Sequence, residues 1–69
     1  MQIKLYQVRK QAKLSQQEVA DILGISRNSY GQKERGDVLF NLEEMFALSE
    51  LLNVSLDDLF ISNKEGVTK

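Results

Sequence analysis

Apolar residues recur at helical intervals along the chain. Near its start, Leu5, Val8 and Ala12 would share one face of a first helix that begins at Ile3 or Leu5 and ends near Ala12. Strict alternation between apolar and polar residues, the pattern typical of a half-buried strand, extends over no more than six residues, at 52–57, and helical spacing dominates the chain. The spacing therefore predicts an all-α fold.

Capping signals give the second helix sharper limits. Ser15 with Glu18 three residues later is a capping box, in which each side chain satisfies a backbone N–H at the helix start. Gly24 is suited to end the helix, because glycine adopts the left-handed conformation at no steric cost. We therefore expect a helix over residues 16–23. Its apolar face would comprise Val19, Ala20 and Leu23.

The third helix offers little to bury. It follows the cap residue Ser26 and extends to about Glu34, yet Tyr30 is its single large apolar residue. Since a helix is normally held by an apolar face, a polar helix needs another explanation. The link to the second helix, Leu-Gly-Ile-Ser, is so short that the two helices must cross steeply, as in a helix-turn-helix.

A projecting polar helix is suited to one task in particular. A helix that enters the major groove of DNA needs polar side chains on its outer face. Gly31 lies within this helix and costs about 1 kcal/mol of helix propensity relative to alanine. Two explanations stay open: the missing side chain allows close approach to DNA, or the position faces solvent or a tight contact with another helix.

Two more helices complete the predicted fold. Asn41 caps a fourth helix over residues 42–52, which Asn53 ends. A short fifth helix follows over residues 56–60, and residues 62–69 have the composition of a polar tail. The expected buried face of the fourth helix comprises Leu42, Met45, Leu48, Ser49 and Leu52.

Composition narrows the function. The 69 residues suffice for one compact five-helix domain, predicted over residues 1–61. There is no cysteine and no histidine, which excludes disulfides and thiolate metal sites and removes the commonest acid–base catalyst. Asp57 and Asp58 lie at a predicted helix start, where they are better explained as capping charges than as a catalytic pair. We expect no enzymatic activity, cofactor, metal or small-molecule ligand.

Location and charge follow from the same sequence. No apolar run approaches the ~20 residues of a membrane span, and no signal-peptide core is present, so we expect a cytoplasmic protein.

The net charge of −1 hides two unlike halves. Residues 1–35 carry seven basic and three acidic residues, whereas residues 36–69 carry two basic and seven acidic ones. The basic half contains the predicted helix-turn-helix, as phosphate binding requires, although chance scatter over a solvated surface is the alternative.

Two runs of residues carry a family resemblance: "LSQQEVADILGISRNSYGQKERG" and, after a short loop, "LEEMFALSELLNVSLDDLF". Together they resemble the phage-repressor type of helix-turn-helix domain, which includes Cro-like and xenobiotic-response-element-type regulators. The similarity covers about residues 3–60. It implies a lambda-repressor-like DNA-binding domain of five helices, usually dimeric on a palindromic operator.

The resemblance assigns roles to residues of the second and third helices. By position, Arg27, Asn28 and Gln32 match residues that read bases, and their chemistry agrees, since arginine binds guanine and asparagine or glutamine binds adenine bidentately. Gln16, at the start of the second helix, matches a residue that anchors a backbone phosphate. Further candidates for phosphate contacts, each with a solvated polar side chain as the alternative, are Lys10, Ser29, Lys33 and Arg35.

Other positions match or depart from the family pattern. Arg9 and Glu34 match positions that form a partly buried ion pair between the first and third helices. Lys33, by contrast, replaces a residue that is more often bulky and apolar. The loop after Gly36 carries Asp37 and no basic residue where the family often has phosphate-binding ones. A single copy should therefore bind DNA weakly.

Several apolar residues exceed what a small core requires. Phe46, Leu51 and Leu39 are candidates for an exposed patch, which Ile61 could join. We predict a homodimer interface that includes Phe46, Leu51 and Ile61; the alternative is that these residues complete the core, Leu39 and Phe40 foremost.

The sequence thus predicts a double-stranded DNA-binding transcriptional regulator, a repressor that occupies a palindromic operator as a homodimer. The alternative is an antitoxin or anti-repressor type of interaction module, whose acidic helices would bind a protein partner. The polar, basic third helix favours the first function, because an interaction module would not need it.

Overall fold

The structure, a computed structural model, describes residues 1–61, and within that range it contains helices and no strand. The elements are α1 (Ile3–Gln11), α2 (Gln16–Leu23), α3 (Arg27–Arg35), α4 (Leu42–Leu52) and α5 (Asp57–Ile61). The predicted all-α domain of five helices is confirmed. α5 is a π-helical turn that begins one residue later than predicted. The predicted polar tail, residues 62–69, lies outside the described residues.

Capping boxes explain where α2 and α4 begin. The Ser15 hydroxyl accepts a hydrogen bond from the Glu18 N–H at 3.0 Å, and the Glu18 carboxylate accepts one from the Ser15 N–H at 2.8 Å. Asn41 and Glu44 repeat this exchange at 2.7 and 2.9 Å. The sequence predicts Asn41 only as a cap, and the structure adds the reciprocal hydrogen bond to Glu44. Both boxes satisfy N–H groups that a helix start leaves without partners.

Left-handed residues stop the helices. Gly24, at φ 76°, ends α2, and Asn53, at φ 57°, ends α4, as the sequence predicts. Lys13 also has a positive φ, of 63°, in the turn after α1. No feature of the sequence marks that position, because lysine has no preference for the left-handed region.

The core draws on every helix and on the loop before α4. Its fully buried apolar side chains are Leu5, Val19, Ala20, Tyr30, Leu48 and Leu59. Phe40, at 8% exposure, lies between two aromatic neighbours, with its ring centroid 5.9 Å from that of Tyr30 and 5.6 Å from that of Phe60. The loop before α4 is thereby fixed to α3 and α5.

Two residues predicted to be buried are exposed instead. Ala12 follows the last residue of α1, and Leu42, 58% exposed, is the first residue of α4. Periodicity assigned both to an apolar face, but the core does not extend to these helix ends. In α4 the buried positions are Leu48 and the carboxylate-bearing Glu44. Within residues 1–61, no helix combines the length and apolar character that crossing a bilayer requires.

Candidate nucleic-acid interface

The turn between α2 and α3 holds the two helices in close contact. Gly24 donates a hydrogen bond to the Asp21 carbonyl at 3.1 Å, and the next residue, Ile25, donates to the Ala20 carbonyl at 3.0 Å. The Ile25 side chain packs against the core, and Ser26 then caps α3 through the Ser29 N–H. The backbone groups at the end of α2 and at the start of α3 thus have hydrogen-bond partners, and this fixes the orientation of α3 on α2.

The two sides of α3 differ in burial. Tyr30, Gly31 and Glu34 are buried against the body of the domain. Arg27 and Asn28 are exposed, and Gln32, one helical turn beyond Asn28, is half-exposed. The three residues assigned to base reading therefore lie on the accessible part of α3, where a groove could receive them.

Glu34 accepts hydrogen bonds from three side chains around it. Arg9 donates from Nε to Oε2 at 2.8 Å and from its second terminal nitrogen to Oε1 at 3.2 Å. The Tyr30 hydroxyl donates to Oε2 at 2.8 Å, and Gln16 Nε2 donates to Oε1 at 2.9 Å. The ion pair of Arg9 and Glu34 is almost inaccessible, with side-chain exposures of 6% and 3%. One carboxylate thereby ties α1, α2 and α3 together.

The ionisation of this group follows from its partners. Burial alone would raise the pKa of Glu34, but hydrogen bonds from Arg9, Gln16 and Tyr30 outweigh it and lower that pKa below its ordinary value. Burial and the hydrogen bond to Glu34 together raise the pKa of the Tyr30 phenol. Glu34 is therefore a carboxylate and Tyr30 a neutral donor at neutral pH.

Gln16 links this buried group to the outer surface. Its amide nitrogen is held by Glu34, and its Oε1 accepts a hydrogen bond of 3.4 Å from Arg27. A Cβ on Gly31 would lie 3.7 Å from that same oxygen and 3.4 Å from an Arg35 nitrogen. Gly31 is therefore buried rather than facing solvent, but both distances are ordinary contacts, so the packing against α2 does not itself require a glycine. The sequence did not indicate that Gln16 and Tyr30 share a partner.

Three of the four weaker phosphate candidates lie at or near the surface. Lys10 is exposed, with Nζ 5.9 Å from the centroid of the Tyr6 ring. Arg35 is exposed and forms a 3.2 Å ion pair with Asp37. Ser29 is half-buried in the first turn of α3.

Lys33 does not face outward as expected. Its Nζ lies 2.7 and 2.6 Å from the two carboxylate oxygens of Glu44, and its side chain is 15% exposed. The expectation of a solvent-facing lysine is wrong, because the first turn of α4 places a carboxylate beside it. Eleven positions separate the two residues, so no local pattern of the sequence indicates the pair.

A second group of exposed side chains is apolar and lies in the loop before α4 and on α4 itself. We call it the α4 apolar surface and define it as Val38, Leu39, Leu42 and Phe46, which are 43%, 83%, 58% and 52% exposed. Leu39, an alternative core residue in the sequence, is thus exposed, whereas Phe40 is buried. Leu51, a predicted dimer contact, packs against the core and is half-buried. The side chain of Ile61, the third predicted contact, lies outside the described residues.

Comparison with known proteins decides the family. Residues 5–59 match the family model described as helix-turn-helix, of the Cro/C1 type. The chain belongs to the Cro/C1-type helix-turn-helix family. Over 55 residues it is 44% identical to the uncharacterized HTH-type transcriptional regulator YqaE of Bacillus subtilis (strain 168), an alignment that covers 80% of this chain and 47% of that protein.

A second relative comes from the same organism. The SPbeta prophage-derived uncharacterized HTH-type transcriptional regulator YonR of Bacillus subtilis (strain 168) is 47% identical over 45 residues, which cover 65% of this chain and 42% of that protein. This chain therefore spans less than half the length of both relatives. No solved structure matches it at a significant level. All residues of the candidate interface lie inside the matched segment.

Proposed function

We propose that this chain is a sequence-specific double-stranded DNA-binding transcriptional regulator that represses by occupying a palindromic operator as a homodimer. The observation that carries the proposal is the outer side of α3, where Arg27, Asn28 and Gln32 are accessible while Tyr30 and Glu34 hold the inner side. The two relatives, both designated transcriptional regulators, support it. An operator occupied in this way blocks transcription without any further domain.

The proposal gives each polar residue of the interface a task. Arg27 would bind guanine, and Asn28 and Gln32 would bind adenine, through bidentate hydrogen bonds in the major groove. Gln16 would hold a phosphate at the start of α2, where free N–H groups and the helix dipole favour an anion. Lys10, Ser29 and Arg35 would add backbone contacts, which position the domain without reading sequence.

The homodimer follows from the second surface. Apolar side chains exposed together usually mark an interface, and the α4 apolar surface has four of them in nine consecutive positions. Phe46 stays a proposed dimer contact, and its exposed neighbours Leu39 and Leu42 take the place of Leu51, which packs on the core. Ile61 stays a prediction. The acidic residues of the C-terminal half would then lie away from the phosphates. Two recognition helices should stand about 34 Å apart, one turn of B-DNA.

Selection of bound sequences from random duplexes tests this function. The wild-type protein should enrich an approximate inverted repeat whose half-sites are about one helical turn apart. The matched control is the variant with Asn28→Ala and Gln32→Ala, which should retain the fold and enrich no defined site. Failure of the wild-type protein to enrich any sequence would reject the proposal.

A second candidate function has one observation in its favour. An open groove of about 320 Å³ lies between the end of α2 and the start of α4, and its lining combines apolar residues such as Ile22 and Ala47 with polar ones such as Asn41 and Glu43. An antitoxin or anti-repressor module could bind a protein segment there. That function predicts no sequence enrichment in the selection above and a protein complex that Ile22→Glu weakens.

A further inference from the structure

The ion pair between Lys33 and Glu44 joins the end of α3 to the start of α4. The lysine Nζ contacts both carboxylate oxygens, and the side chains are 15% and 9% exposed. Each charge also lies where its helix favours it, since Lys33 is in the last turn of α3 and Glu44 in the first turn of α4. Burial alone would raise the pKa of Glu44, but the hydrogen bonds from Lys33 and from Asn41 outweigh it and lower that pKa.

The pair acts together with the loop that it spans. Glu44 also accepts the N–H of Asn41 at 2.9 Å, so the same carboxylate caps α4 and binds α3. The buried Phe40 ring packs against Tyr30 and so fixes the loop to the core. At the other end, the N–H groups of Asp37 and Val38 donate to the Gln32 carbonyl at 2.9 and 3.3 Å. The last turn of α3 is therefore held through Glu44 and the loop as well as through Glu34.

Gln32 precedes Lys33 in that turn, and its position depends on how the turn sits. We propose that Lys33 and Glu44 are positioning residues for DNA reading: their ion pair fixes the end of α3 so that Gln32 reaches its base, and Lys33 does not contact phosphate. The proposal rests on the proposed function. The competing account is that Lys33 leaves Glu44 on binding and neutralises a phosphate.

The two accounts predict opposite effects for Glu44→Gln. This variant keeps an oxygen for the Asn41 N–H and removes the charge that holds Lys33. If the pair positions α3, affinity for the selected operator should fall about fivefold more than affinity for random duplex. If Lys33 is a competing phosphate ligand, the variant frees it and affinity should rise on both duplexes. The matched control is Glu43→Gln, which removes the same charge from the neighbouring exposed position.

Lys33→Met provides the second arm, with Lys4→Met as its control for the loss of one exposed lysine. Lys33→Met should lower the operator-to-random affinity ratio and leave the slope of log affinity against log salt unchanged. A phosphate contact would instead reduce that slope by about 0.9. The double variant Lys33→Met/Glu44→Gln should lose less operator affinity than the sum of the single losses.

Circular dichroism at the binding temperature verifies that each variant is folded. A folded variant that only lost stability would keep the wild-type affinity ratio, and that result overturns the proposal, as do a reduced salt slope and tighter binding by Glu44→Gln. A wild-type protein that binds no duplex rejects the proposed function itself. Wild-type binding with unchanged ratios in the variants rejects the positioning role alone.

Discussion

The surface of α3 and the α4 apolar surface are built on different principles. On α3, polar side chains face outward and a buried carboxylate with three side-chain partners holds the helix from inside. In the loop before α4 and on α4 itself, four apolar side chains are exposed, from Val38 to Phe46. Within residues 1–61, every buried side-chain nitrogen and oxygen has a hydrogen-bond partner. The polar groups that hold α3 are therefore satisfied within a single chain, whereas the apolar side chains of the α4 apolar surface remain exposed in it.

The two surfaces would contribute to binding in different ways. A helix already fixed by Glu34 and by the α2 turn loses little conformational freedom when it meets a ligand, so more of its contact energy appears as affinity. An exposed apolar surface stabilises a complex only when the partner covers it, by about 25 cal/mol per Å² of apolar area removed from water. The first surface suits selective recognition of polar groups, and the second suits the apolar contact that we propose with a second copy of the chain.

The largest expected effect comes from breaking the inner support of α3. Glu34→Ala leaves the buried Arg9 without its carboxylate and with only the Leu14 carbonyl as acceptor, which should cost about 3–5 kcal/mol of unfolding free energy. Arg9→Met should cost a similar amount, and the double variant should lose less than the sum. Urea unfolding followed by circular dichroism measures all three, with Glu50→Ala on the exposed side of α4 as control. Losses that add within about 0.3 kcal/mol would show that the two residues are not coupled.

A smaller effect is expected from changing the α4 apolar surface. Phe46→Glu should weaken self-association by about 2–4 kcal/mol if Phe46 is a central contact of the dimer. Sedimentation equilibrium measures the dimer constant, and Ile3→Glu, at a residue of similar exposure on α1, is the matched control. A wild-type protein that is monomeric at tens of micromolar, with Phe46→Glu unchanged from it, would remove the reason to assign this surface to a second copy.

Substitutions on the outer side of α3 should have a smaller effect, and it should be on the recognition of DNA sequence. Asn28→Ala and Gln32→Ala should each weaken operator binding by about 1–3 kcal/mol and leave binding to random duplex nearly unchanged, since they remove base contacts and no charge. Fluorescence anisotropy with both duplexes measures the ratio. Gln11→Ala, at the end of α1, is the control for loss of an exposed amide. Equal losses on both duplexes would mean that these residues do not read bases.

Gly31→Ala should have the smallest effect, and in the opposite direction. The new Cβ would lie at ordinary contact distance from Gln16 and Arg35, and alanine favours a helix over glycine by up to about 1 kcal/mol. We expect thermal unfolding to shift upward while operator affinity stays the same. A stabilised variant that loses operator affinity would show that close approach to DNA needs the missing side chain.

Local signals account for most of the fold. The boundaries of α2 and α4 could be predicted because Ser15 and Asn41 cap their starts and Gly24 and Asn53 end them. The exposure of Leu42 could not be predicted, since periodicity defines a helix face but not how far along the helix the core extends. The turn at Lys13 was likewise without a signal.

The site was only partly accessible from the sequence. The positions of Arg27, Asn28 and Gln32 on one helix follow from spacing, and the resemblance supplied Arg9 with Glu34. The contact of Lys33 with Glu44 depends on where the loop delivers α4, and that is a tertiary property. The same holds for Leu51, which packs against the core. The pattern of the sequence alone does not distinguish that position from an exposed one.

We expect α3 to contact DNA and the α4 apolar surface to stay away from it. Titration of the isotopically labelled protein with its selected duplex, at a concentration at which the protein is already dimeric, tests this directly through the amide NMR shifts. We predict the largest shifts at Gln16, Arg27, Asn28 and Gln32, and shifts near those of a random-duplex control at Leu42 and Phe46. The largest shifts at Leu42 and Phe46, with α3 unchanged, would contradict the account.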